Sequence, residues 1–178
     1  MSHDVTSRVR LPRTRKLSAA MTIPTPEQVG AVIGQADPQL AALFAVCAFA
    51  GLRLGEASAL KVSDVDFLRR ELRVCRQVQF KTADGRAEIR LPKYGSERTV
   101  YLPDGLLSVL AEHVRQLRPG TDPERWLFPG GRDESQPVHV GMVGRGWCAV
   151  RERVGLAFRL HDLRHFYASG WSQRAVMW

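Results

Sequence analysis

Residues 40 to 52 form an unbroken run of 13 apolar residues, Leu-Ala-Ala-Leu-Phe-Ala-Val-Cys-Ala-Phe-Ala-Gly-Leu. It is too short to span a bilayer, which takes about 18 or more. Asp37-Pro38 ahead of it reads as a helix start and Gly51 as a helix stop. A helix that is apolar on every side cannot lie on a surface, so other elements must wrap it completely. The chain has the means to do so, with 178 residues, 44% of them hydrophobic and 25% charged. That balance supports one sizeable core and excludes disordered, collagenous and disulfide-scaffold classes. Cys47, Cys75 and Cys148 are widely spaced with no C-x-x-C pair, which argues against structural zinc and for a reducing compartment. The amino terminus shows no hydrophobic signal region. The expectation is a basic, cytoplasmic, nucleoid-associated protein with no membrane partner and no cofactor.

The covering elements can be read from periodicity. Thr25-Pro-Glu-Gln28 is a capping-box pattern with proline at the first helical position, followed by Val29, Val32, Ile33 and Ala36 at helical spacing. A short helix is expected from about Gly55 to Leu60. Pro103-Asp104 opens another, with Leu106, Leu107, Leu110, Val114 and Leu117 on one face and Pro119-Gly120 at its end. A Gly/Pro-rich loop over residues 121–137, anchored by Trp126, Leu127 and Phe128, precedes the stripe Val140, Val143, Trp147, Val150 and Val154. A last helix starts near His161, directing Leu163, Phe166 and Tyr167 to the core.

Between these helices the period falls to two. Leu72, Val74, Val78 and Phe80 share a side that Arg76 interrupts; Ala87, Ile89 and Leu91 alternate with Glu88 and Arg90, and Val100 and Leu102 with Thr99 and Tyr101. Asp84-Gly85 marks a turn between the first two runs and Lys93-Tyr-Gly-Ser96 one between the last two. The predicted fold class is therefore α+β: mainly helical, with a small three-stranded antiparallel sheet.

Lys and Arg total 26 against 18 Asp and Glu, a formal charge of +8. A polyanion, nucleic acid first, is the partner such a balance suggests, although a solvated surface would look the same. Residues 1–22 read as a basic arm or linker, with Arg8, Arg10, Arg13, Arg15 and Lys16 placed to lie along phosphates. Residues 23–178 form the folded domain. Within it, Arg53 follows the buried helix, where it could equally complement a helix dipole. Lys93 sits at an expected hairpin turn, the usual place for a solvated lysine. His161 and Arg164 share a helix face, with His165 one turn from His161.

In combination these elements are more specific. Gly-Leu-Arg-x-Gly-Glu at 51–56, a turn lysine 40 residues after Arg53, and His-Asp-Leu-Arg-His-x-x-Ala-Ser-Gly at 161–170 resemble the catalytic domain of tyrosine recombinases, the phage-integrase family. So does Leu-Pro-Lys-x-x-x-x-Arg-Thr-Val-x-Leu-Pro at 91–103. The resemblance implies site-specific DNA recombination or integration, in which a phosphodiester is broken and rejoined through a phosphotyrosine. It assigns Arg53 and Arg164 to the non-bridging oxygens, where paired guanidinium donors neutralise charge that develops in displacement. It makes Lys93 the general acid for the departing 5′ oxygen and His161 a proton-transfer or orienting residue. Glu56 would brace the site; His165 is either a phosphate contact or a structural histidine. No metal is implied, and no carboxylate cluster that would hold Mg²⁺ is evident. Double-stranded DNA is the implied partner, an intact recombinase protomer a second one, and no small-molecule substrate is expected.

The family's nucleophilic tyrosine lies on a helix well beyond His-x-x-Arg, after a Leu-Gly-His or similar box. Tyr94, Tyr101 and Tyr167 do not match that position. The family's helical core-binding domain would add roughly 80 to 100 residues before Thr25, the size of a small domain. The expectation is thus a catalytic domain truncated at both ends, lacking its nucleophile segment and unable to cleave DNA alone. The competing expectations are a non-catalytic DNA-binding remnant of a mobile-element integrase, which could poison an intact recombinase, and a decayed, aggregating product.

Overall fold

The computed structural model describes residues 23–80 and 87–170; the basic arm and the Asp84-Gly85 turn lie outside them. The helix starts follow the sequence closely. α1 (Pro26–Gln35) begins with the expected reciprocal cap, in which the Gln28 amide donates to Thr25 Oγ1 at 3.4 Å and the Thr25 amide to Gln28 Oε1 at 2.9 Å. α2 (Pro38–Phe49) is capped by Asp37, which accepts the Gln39 amide at 2.9 Å.

The apolar run that forms α2 is central. Leu43, Phe44, Val46 and Ala48 are fully buried, and α1, α4 (Asp104–Leu117) and α6 (Asp162–Ala168) pack around the helix. From α5 (Val140–Arg153), Trp147 meets Phe44 edge-on at 5.2 Å between ring centroids, and from α6 Phe166 meets Phe49 at 6.0 Å. Burying each such large side chain contributes about 2–3 kcal/mol. Of the expected loop anchors Leu127 and Phe128 are buried, while Trp126 is only partly covered, with Lys61 Nζ 5.5 Å from its ring. The apolar stripe of α4 also contains a polar member that periodicity passed over. His113 is buried and its Nε2 lies 2.9 Å from the Leu127 carbonyl oxygen, pinning the loop to the helix. Leu117, placed on the same stripe, is 38% exposed as the last residue of α4.

The strands correct the sequence reading. A three-stranded antiparallel sheet is present, but its order is β1 (Val65–Asp66), β2 (Glu71–Val74), β5 (Arg98–Tyr101), and a second, two-stranded sheet joins β3 (Gln77–Phe80) to β4 (Ala87–Arg90). The run expected as one strand over 72–80 breaks at Cys75 and Arg76. At the break the Arg76 guanidinium meets the buried Asp64 carboxylate at 2.6 Å. β1 was not anticipated, since two residues carry no periodicity. Nor is the Lys93 turn a hairpin, because β4 and β5 do not pair with each other: Val74 faces Arg98 while Gln77 faces Arg90. Residues 91–97 therefore bulge out opposite residues 75 and 76. Tyr167, expected in the core, is only partly buried, because it borders a cavity.

Candidate functional site

The site is built where α2 ends. Gly51 adopts φ +65°, a conformation costly for side-chain-bearing residues, and a Cβ there would overlap the Tyr167 ring. The resulting turn buries Leu52 and sets Arg53 at the N-cap of α3 (Leu54–Ser58). Gly55 is required for a different reason: a Cβ would stand 2.9 Å from the Val78 carbonyl oxygen of β3. The two glycines of Gly-Leu-Arg-x-Gly-Glu thus place Arg53 and Glu56 between the core and the small sheet.

Glu56 is fully buried yet ionised. Burial alone would push its carboxyl up, but hydrogen bonds outweigh it and hold the group at about 2. Arg98 donates to both oxygens, at 2.8 and 3.4 Å; the Arg53 amide donates at 3.0 Å and its guanidinium at 2.8 Å. Arg53 is 38% exposed in its side chain and Arg98 30%, so each retains part of its five-donor fork for a ligand. From α6, Arg164 donates to the Gly51 carbonyl oxygen at 2.5 Å, clasping the turn two residues before Arg53. Burial lowers its pKa, as do the nearby charges of Arg53 and Arg98, while Glu56 opposes them. Three guanidiniums surround one carboxylate, and that excess of positive charge suits an anion. A cavity of about 700 Å³ opens beside it, lined by Phe49, Arg98, Val100, Pro103, Arg164 and Tyr167 among others.

Residues 24–177 of this chain match the model of the Phage integrase family. The chain belongs to that family. It is 31% identical over 160 residues to y4eF of Sinorhizobium fredii, an integrase/recombinase by name, covering 88% of this chain and 56% of the relative. It is 30% identical over 162 residues to a XerC-like tyrosine recombinase of Caldanaerobacter subterraneus, covering 78% and 40%. The chain spans about half the length of the curated relatives it matches. Among solved structures, the Tn1549 transposon integrase in complex with circular intermediate DNA superposes with a TM-score of 0.72 at 18% identity, over 88% of this chain and 56% of that one. The XerA recombinase gives 0.65 at 23%, over 88% and 52%. At such identities these structures speak for the fold alone.

In this integrase-family domain, Arg53, Glu56 and Arg164 gather around one turn, as the motif order suggested. His161 and His165 meet edge-on at 5.1 Å between ring centroids where α6 begins. Partial desolvation lowers the His161 pKa first, then the charges of His165 and Arg164, although much of the residue stays exposed. The start of α6 is held by Asp162, a buried carboxylate that accepts the Arg159 amide at 2.7 Å and its guanidinium at 3.2 Å. Lys93 is different. It is exposed in the 3-10 turn Lys93–Gly95, and neither it, Arg53 nor His161 lines the cavity. Arg98 was part of the quoted motif without a role, and only its ion pair with Glu56, 42 residues away, reveals one. Among the described residues no group of three or more His, Cys, Asp or Glu is placed to hold a metal ion, and no described helix is long and apolar enough to cross a membrane.

Proposed function

We propose that this chain serves site-specific DNA strand breakage and rejoining, as the catalytic domain of a tyrosine recombinase. The observation that carries the reading is the excess of guanidinium charge around the fully buried Glu56, in a chain of the phage integrase family. Double-stranded DNA is the substrate. Arg53 and Arg164 donate to the non-bridging oxygens of the scissile phosphate. Their positions are set beforehand by Glu56 and the Gly51 carbonyl, so little reorganisation is needed as charge builds. Lys93 protonates the departing 5′ oxygen, His161 takes or orients a proton, and His165 adds a phosphate contact. The basic arm, with Arg8, Arg10, Arg13, Arg15 and Lys16, adds positive charge that attracts the DNA backbone.

The nucleophilic tyrosine comes from outside these 178 residues, through a further segment or another protomer, and the chain by itself holds DNA without cutting it. The neighbouring Tn1549 integrase, solved with circular intermediate DNA, supports DNA as the partner. The test is fluorescence anisotropy with duplex DNA across a salt series. Affinity should fall steeply with salt, and Arg53→Ala with Arg164→Ala should weaken it and reduce the log–log slope by about 2. Salt-independent binding, or a double variant indistinguishable from wild type, refutes the phosphate site. A covalent protein–DNA adduct formed by the chain alone on a suicide substrate refutes the external nucleophile.

A further inference from the structure

The Lys93 turn is a wide bulge: residues 91–97 stand opposite only residues 75 and 76. A loop of this kind has many conformations unless its feet are tied. Pro92 is buried and roots the first foot. Within the bulge the hydrogen bonds are local: the Gly95 amide donates to the Pro92 carbonyl oxygen at 3.1 Å, the Glu97 amide to that of Gly95 at 2.9 Å, and Ser96 Oγ to that of Lys93 at 3.0 Å. The second foot is Arg98. It opens β5 by pairing with Val74, and its guanidinium holds Glu56 while also reaching the Ser96 carbonyl oxygen at 3.5 Å.

We infer that Arg98 is a positioning residue that ties the Lys93 bulge to the arginine cluster through the shared carboxylate of Glu56. Two chains of contact meet on that carboxylate, one from Arg53 and one running from Arg98 through Ser96 to the Lys93 backbone. The carboxylate is fully buried and ionised, so it is a fixed reference point rather than a mobile surface ion. What Lys93 then does rests on the function proposed above; that it is held there does not. A role confined to neutralising Glu56 would be met by any cation at this position. A role in positioning needs the guanidinium fork, which alone can face Glu56 and Ser96 together.

The test uses the 178-residue chain carrying Arg98→Lys, which keeps the charge and loses the fork. Hydrogen exchange at the Gly95 and Glu97 amides should quicken about tenfold, with the amides of β2 and α2 unchanged. On titration with a short DNA duplex, the side-chain signals of Arg164 should shift in both proteins, and those of Lys93 in the wild type only. Unchanged exchange at Gly95 and Glu97 overturns the inference, and so does uniform acceleration throughout the fold. The wild type supplies an independent measurement, needed where the variant does not fold. Slow rotation of the Arg98 guanidinium, with nuclear Overhauser contacts to Ser96, supports the tie; free rotation without them overturns it. A wild type that binds no DNA while the exchange result stands removes the proposed function and leaves the positioning role intact.

Discussion

Replacing Glu56 by glutamine perturbs the centre of the arrangement while nearly conserving its shape. The wild-type carboxylate takes four hydrogen bonds from Arg53 and Arg98 with no exposure to solvent. A glutamine would offer one acceptor and turn an amino group toward guanidinium donors. Its cost can be gauged from proton affinity. The carboxyl lies at about 2 against an ordinary 4.5, although burial alone would raise it. At about 1.4 kcal/mol per tenfold change, the negative charge is worth on the order of 3 kcal/mol to the folded state. Outright removal of one member of a buried pair costs about 3–5 kcal/mol, and the partly exposed arginines can rehydrate, which brings the figure down. Urea denaturation followed by tryptophan fluorescence should thus show Glu56→Gln about 3 kcal/mol less stable at pH 7. In a chain of this length that corresponds to a fall of roughly 6–12 °C in Tm.

The pH dependence follows from the same displacement. Between pH 4.5 and about 2 the unfolded carboxyl binds a proton that the folded one does not. The stabilisation is therefore complete above pH 4.5 and is lost as pH falls through that window. The gap between wild type and variant should be constant from pH 7 down to about 5 and close below it. A variant as stable as wild type at pH 7, or a gap that persists undiminished toward pH 2, would falsify the view of Glu56 as an ionised hub.

Gly51→Ala should destabilise the domain by about 2–4 kcal/mol, through the positive φ and overlap with Tyr167; a thermal melt within a degree of wild type would contradict this. Among the cysteines, exposed Cys148 should alkylate first and Cys47 last. Burial, then Glu56, pushes the Cys47 thiol up to about 12, and only unfolding should free it. Peptide mass mapping after timed iodoacetamide treatment reads the order, and early loss of Cys47 would mean the core at α2 opens. His161 should titrate below 6.5 by NMR, because partial desolvation and then His165 and Arg164 disfavour its charge; a midpoint above 6.5 would contradict that balance.

What the amino-acid order determined by itself was whatever can be decided within a few residues. The reciprocal cap of Thr25 and Gln28, the Asp37-Pro38 start and the Gly51 stop all involve near neighbours, and each is where the local pattern put it. The stripes on α4 and α5 and the burial of α2 follow from helical spacing, and the motif order named Arg53, Glu56 and Arg164 together, which the fold brings around one turn. The tertiary structure decided what depends on the chain's return from a distance. The break at Arg76 coincides with its ion pair to Asp64, and β2 and β3 on either side of it pair with different strands. His113 is buried because a loop carbonyl needs a partner. Tyr167 lies at a cavity rim because Gly51 leaves it room. Arg98 finds Glu56 across 42 residues, and nothing near either one announces the other. Local hydrogen bonding and periodicity repeat over a few residues and can be read in order. A buried charge is matched only when remote segments fold against it, so its partners become visible only in three dimensions.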